Sequence, residues 1–200
     1  MNEGKRKMSA HAAALAERQA STRVPSGRLG MWWFLGSELT LFTGMMLIYV
    51  VNRIRHPDWA SAAESTWIAL GITGTGMLLA SMFTIVRAQA AAKDTRGASA
   101  ARWLVATVVL GVAFLVCQAF EYARALGAGL EPSAHLFWAY YFLMTGMHAT
   151  RVLGGVAAFT AVLPATARGK HVRRVGTLGL YWRFVCIVWF VYFVLLYVVR

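Results

Sequence analysis

Apolar residues run almost without interruption through five stretches of this chain, residues 30–51, 67–86, 103–126, 136–163 and 180–199. Each reaches the roughly 20 residues that a helix needs to cross about 30 Å of hydrocarbon. Inside lipid every backbone N–H and C=O must be satisfied within the protein, which a helix achieves alone. The pattern therefore predicts an all-α polytopic membrane protein, with a five-transmembrane-helix bundle over 30–200 and a separate arm over 1–29. The connections are too short for a soluble domain, so consecutive helices are expected to be antiparallel neighbours. The arm begins with charge but has only the alanine-rich stretch 10–15 in place of an apolar core. It reads as a flexible basic segment near anionic lipid heads and not as a cleaved signal peptide.

Composition agrees with this reading, at 58% hydrophobic residues and a mean hydropathy of +0.55. The net charge of +12 invites a nucleic-acid reading, which the positions of the basic residues remove. They separate by side. The arm carries Lys5, Arg6, Lys7, Arg18, Arg23 and Arg28, and the segments around the second and fourth connections carry Arg87, Lys93, Arg96, Arg102, Arg168, Lys170, Arg173 and Arg174. Only Arg53, Arg55, Arg124 and Arg200 fall on the other side. Cytoplasmic segments are enriched in Lys and Arg, so the N-terminus is expected in the cytoplasm and the C-terminus outside. No basic surface remains for DNA or RNA. Cys117 and Cys186 fall in different spans, so neither a structural disulfide nor a two-thiol metal site is expected.

The polar residues inside the spans are the candidates for chemistry, because ionisable groups in hydrocarbon are costly and rare. Glu38 lies about 12 Å into the first span at 1.5 Å per residue, too deep for its short side chain to reach water. Tyr141, Thr145, His148 and Arg151 follow one another at helical spacing and share one stripe of the fourth span. Arg151 lies at a depth close to that of Glu38. Each charge alone costs on the order of 2.5–3.5 kcal/mol on insertion scales, and pairing the two inside the bundle removes most of that cost. In the third span Gln118, Glu121 and Tyr122 form a polar cluster near the outer surface. Its plainer reading is that Glu121 reaches the headgroups and pairs with Arg124 at i+3. Arg183, near the inner end of the fifth span, is expected to reach the cytoplasmic headgroups. The second span is a packing helix, rich in Gly71, Gly74, Gly76, Ala80 and Ser81.

What is missing narrows the function. Haem and copper in membrane oxidases are held mainly by imidazoles, and of the five His only His148 lies deep in a span. No nucleotide-binding, haem-attachment or Ser-His-Asp pattern occurs. This polypeptide is expected to be no catalyst by itself and to hold no metal.

Four stretches, in order, resemble subunit III of the haem-copper (aa3-type) cytochrome c oxidases: GMWWFLGSE at 30–38, QAFEY at 118–122, TGMH at 145–148, and Tyr181, Trp182, Phe184, Val185, Ile187, Val188 and Trp189. The chain is similar to the short five-helix bacterial form, without the two N-terminal helices of seven-helix members. The resemblance implies a non-catalytic accessory subunit of the bacterial cytoplasmic membrane. Its partners would be the haem-bearing subunit I and subunit II, with haem and copper held there and phospholipid bound at its own surface. It would stabilise subunit I and support dioxygen and proton access through lipid-lined surfaces. Glu38 would be the buried carboxylate beside the lipid cleft, with His148 nearby.

The chain departs from the family where a second His is usual, having Arg151, and where the last span usually reads His and Asp, having Arg183 and Cys186. A guanidinium stays charged and cannot relay protons as an imidazole does. The Glu38 region therefore reads as structural or lipid-anchoring more than proton-conducting. Two other functions compete. The same family includes the subunit associated with nitric oxide reductase, which the short connection after the first span suits equally well. A small ion transporter is the reading from another class, against which stand the lack of an internal repeat and of a proline-broken span.

Overall fold

The computed structural model describes residues 26–94, 96–169 and 172–199, and the predictions for most of the arm fall outside them. The helices are α1 (Ser26–Arg55), α2 (Trp59–Glu64), α3 (Ile68–Lys93), α4 (Gly97–Gly127), α5 (Leu136–Ala167) and α6 (Val172–Phe193), the last continuing into a π-helical turn, Val194–Val198. No strand occurs among the described residues. Among the described residues five helices are long and apolar enough to cross a membrane, and the protein is a multi-pass membrane protein. Residues through Phe34 group as a unit of their own, whose described part is helical, and Leu35–Arg200 forms the second unit.

All five spans predicted from the sequence are helices, and each runs past its expected limits at one end or both. Arg87 and Lys93 stand on the last turns of α3, Arg102 on the second turn of α4, and α5 continues through Pro164 to Ala167. Proline costs a helix one hydrogen bond, which the last turn of α5 tolerates. Charged residues did not end these helices because helix propensity is indifferent to crossing a membrane boundary. Gly129, at φ 74° just after α4, adopts the left-handed conformation that glycine takes most cheaply, while the Leu130 N–H returns to the Ala125 carbonyl at 3.0 Å.

Within Leu35–Arg200, α3, α4, α5 and α6 pack closely, whereas α1 is held through long side chains. Glycines on α3, α4 and α5 receive aromatic rings. A Cβ at Gly155 would stand 2.6 Å from Trp182, one at Gly111 3.0 Å from the same indole, and one at Gly71 2.9 Å from Tyr197. On α3, Gly71 seats Tyr197 of the π turn and Phe193 of α6, and Gly74 meets Phe114 of α4, whereas Gly76 and Ala80, expected to pack, are exposed.

Helix α2, which the hydropathy pattern does not reveal, buries Trp59 beside α1 and α5. Its indole N–H donates to the Tyr49 hydroxyl at 3.2 Å, and its ring meets Phe137 edge-on at 5.8 Å. Next to it His135 caps α5. Its Nδ1 accepts the Phe137 N–H at 3.0 Å, so its Nε2 carries the proton and donates to Asp58 at 2.8 Å. That hydrogen bond, the largest influence on Asp58, holds its carboxyl below the usual carboxylate range. A depressed acid stabilises above its unfolded value of about 4 and loses that stabilisation as pH falls through its own lower value. The melting temperature of the wild type is therefore expected to exceed that of Asp58→Ala slightly at pH 6, with the gap closing toward pH 3. A gap that widens on acidification would refute the linkage.

Candidate functional site

Among the described residues, polar side chains inside the bundle gather in three places, and Arg183 on α6 lies apart from them, donating to the side-chain oxygen of Gln89 on α3. At the first, α1 and α5 bring together Glu38 and Arg151. Arg151 Nε–H donates to Glu38 Oε2 at 2.8 Å and Nη2–H to Oε1 at 3.1 Å, a two-pronged geometry that matches the planar fork to the carboxylate. The Glu38 side chain is 10% exposed and that of Arg151 24%. The guanidinium also lies 5.7 Å from the Phe42 ring centre, donates to Thr150 Oγ1 at 3.2 Å, and has its backbone carbonyl tied down by the Tyr181 hydroxyl at 2.8 Å. Carboxylate and guanidinium thus neutralise one another across two helices and are held from a third.

The second place joins α4, α5 and the π turn, at the end of the bundle that carries residues 128–135. The Tyr197 hydroxyl lies 2.8 and 2.9 Å from the two oxygens of Glu121 and 3.1 Å from the Tyr141 hydroxyl, which accepts from Gln118 Nε2 at 3.4 Å. Glu121 is 4% exposed. The plainer sequence reading, in which Glu121 reaches the headgroups and pairs with Arg124, is corrected here. Arg124 instead lies 4.1 Å over the Trp67 ring, and Glu121 turns into the bundle. The π turn, which no sequence signal announced, carries Leu196 and Tyr197, both fully buried. Tyr122 belongs beside this cluster, sharing a 2.6 Å hydrogen bond with Thr145, whose hydroxyl also reaches the Tyr141 carbonyl.

The third place is the interior between α3 and α6. Trp182 Nε1–H donates to Ser81 Oγ at 2.9 Å, Trp189 Nε1–H to Thr75 Oγ1 at 3.1 Å, and Cys186 Sγ lies 3.6 Å from the Leu78 carbonyl. Hydroxyls on α3 that would otherwise bond only to their own helix here also accept from the indoles of α6. Thr84 and Thr107 tie α3 to α4 in the same way at 2.8 Å. Cys117 and Cys186 are free thiols.

The predicted stripe on α5 is therefore split among different partners. Tyr141 and Thr145 join the second cluster, and Arg151 joins Glu38. His148, fully buried, points its Nε2 at the Val185 carbonyl 3.0 Å away, so that nitrogen must donate. Its Nδ1 and the Tyr192 hydroxyl are buried without a hydrogen-bond partner among the described residues. No group of three or more His, Cys, Asp or Glu converges among the described residues.

The family model for cytochrome c oxidase subunit III matches residues 6–199. The chain belongs to that family. Its relatives include the cytochrome c oxidase subunit 3 of Corynebacterium diphtheriae, 30% identical over 195 residues, covering 94% of this chain and 95% of the relative. Those of Thermostichus vulcanus and Synechocystis sp. are each 30% identical, covering 85% and 84% of this chain and 86% and 73% of theirs. Within this subunit III member, the stretch at 30–38 carries Glu38, that at 118–122 carries the Glu121 cluster, and that at 145–148 carries Thr145 and His148. The stretch at 181–189 supplies Tyr181, Trp182, Arg183, Cys186 and Trp189, of which Tyr181 braces Arg151 and both indoles bond to α3.

Proposed function

We propose that this chain is a non-catalytic accessory subunit of a respiratory haem-copper terminal oxidase in a bacterial cytoplasmic membrane, with its N-terminus in the cytoplasm. In this reading it packs against the haem-bearing subunit I, with subunit II in the same complex, and holds phospholipid at its surface. The reading rests on membership of the subunit III family together with one observation of chemistry, the two-pronged Glu38–Arg151 pair. A carboxylate engaged on both oxygens by a permanently charged guanidinium has as its nearest partner a group that cannot take up or pass on a proton. Its role is to hold α1 to α5, so that the subunit presents a fixed face to its partner. Support for dioxygen and proton access then comes from shape and lipid contact and not from relay through Glu38.

The test is co-purification. The full chain, tagged and drawn from its native membrane in mild detergent, is expected to carry haem a and copper in a fixed ratio to itself. Haem b with non-haem iron would assign it to a nitric oxide reductase instead. A colourless, monodisperse chain that conducts ions in vesicles would overturn the accessory-subunit reading.

A further inference from the structure

Two facing side chains in the interior each keep one polar atom that no other described group engages. His148 on α5 and Tyr192 on α6 are fully buried, and His148 Nδ1 and the Tyr192 hydroxyl have no hydrogen-bond partner among the described residues. Nε2 of His148 donates to the Val185 carbonyl at 3.0 Å, so in the uncharged ring Nδ1 is left as an acceptor. The phenol brings one O–H to donate and lone pairs to accept. The two atoms are complementary, yet they do not bond to each other. Buried polar groups in folded proteins are completed by protein or by ordered water.

The fold aims both groups at one spot. Contacts of Arg151 with Tyr181, His148 with Val185 and Tyr141 with Tyr197 descend α5 as they climb α6, so the two helices are antiparallel. Side chains lean toward the N-terminus of their own helix, which tilts His148 and Tyr192 toward each other. Their ring centres lie 6.3 Å apart, and two hydrogen bonds of about 2.8 Å through one oxygen bridge about 5–6 Å. The neighbours offer no substitute. Phe42 stands 5.8 Å from the Tyr192 ring, and Phe114 and Trp189 stand 5.7 and 5.0 Å from the imidazole. The Trp189 N–H is taken by Thr75, and the Arg151 fork by Glu38. The occupant must donate to an imidazole nitrogen, accept from a phenol and fit between packed rings. Water does all three. An apolar gas does neither of the first two, and a metal ion meets no group of three His, Cys, Asp or Glu among the described residues.

We propose that His148 Nδ1 and the Tyr192 hydroxyl form a binding site for a single water molecule, which donates to the imidazole and accepts from the phenol. Two polar partners are the fewest that hold a buried water. The bridge ties α5 to α6 between the Glu38–Arg151 pair and the Glu121 cluster. His148 then spends both ring nitrogens on fixed neutral partners, one of them the Val185 carbonyl, and positions α6 against α5. The site depends only on the packing of these two helices, and it stands or falls separately from the identity of the complex the chain joins.

The full chain, deuterated and isotope-labelled at histidine nitrogens and valine carbonyl carbons, is placed in deuterated phosphatidylcholine bilayers in ordinary water. Proton-detected solid-state NMR then reads which protons lie against each imidazole nitrogen, and the His148 ring is the one whose Nε2 proton contacts the Val185 carbonyl carbon. Wild type is expected to show water protons against His148 Nδ1. Tyr192→Phe, which keeps the ring and its packing, is expected to abolish that contact. A dry Nδ1 in the wild type would overturn the proposal, as would a Tyr192 hydroxyl proton lying directly on Nδ1, or a water contact that survives unchanged in Tyr192→Phe. The first two outcomes need no variant, so the wild type decides the matter even where Tyr192→Phe fails to fold. Under dissolved dioxygen, paramagnetic broadening of His148 is expected to stay below that of Phe190, which is 51% exposed. The reverse order would assign the space to an apolar gas and refute the site.

Discussion

Arg151→Gln, with Glu38 left in place, is expected to destabilise the purified chain by about 3 kcal/mol, the lower end of the roughly 3–5 kcal/mol found when one partner of a buried ion pair is removed. The lower end applies because the Arg151 side chain is 24% exposed. Most of the loss is the cost of a carboxylate left in the bundle without its fork, so Glu38→Gln is expected to cost a similar amount by stranding the guanidinium. The double variant Glu38→Gln/Arg151→Gln replaces two charges by two amides that can bond across the same gap, and it is expected to recover most of the loss. Thermal unfolding of the four proteins in mild detergent gives the coupling directly, and a value of about 4–5 kcal/mol is expected if the single changes lose about 3 kcal/mol each and the double variant only about 1–2 kcal/mol. Additive losses would show that the two groups act separately. Arg151→Lys tests the geometry, since a point charge keeps the Coulomb attraction and loses the second prong.

Trp182→Ala is expected to cost about 3–5 kcal/mol, as for large aromatic side chains removed from well-packed sites. The indole is fully buried, stands against Gly111 and Gly155, meets the Phe159 ring at 5.2 Å and donates to Ser81. It is the point where α3, α4, α5 and α6 meet. The converse change, Gly155→Ala, places a methyl 2.6 Å from the same ring and is expected to cost about 1–3 kcal/mol through overpacking. Because both act on one contact, Trp182→Phe in the Gly155→Ala background is expected to cost less than the sum of the two single changes. Limited proteolysis and thermal melting in detergent read both effects. Full additivity would mean that the indole does not rest on Gly155.

The five spans were legible because hydrocarbon imposes a length and an apolarity that no other fold requires, and every predicted span is a helix. Their ends were not, since Lys93, Arg102 and Pro164 sit comfortably on terminal turns. Helix α2 escaped because Trp59–Glu64 is too short for a periodic signal, and its anchor is one indole docked on Tyr49. The placement of Arg151 beside Glu38 followed from depth alone, as each residue's distance from a span end is countable in the sequence. Rotation about a helix axis is a different matter. Glu121 stands three residues before Arg124 and the spacing suggested a pair, yet Glu121 turns to Tyr197 on the π turn. The tie from Arg183 to Gln89 was hidden for a related reason: it depends on which neighbour α6 faces, and periodicity does not say.

The separation of 113 residues between Glu38 and Arg151 has a consequence for biogenesis. At translation rates of about 5–20 residues per second, the base follows the acid out of the ribosome after on the order of 10 s. For that interval the first span carries an unmatched acidic side chain, at an insertion cost of about 2.5–3.5 kcal/mol that the later arrival of Arg151 offsets.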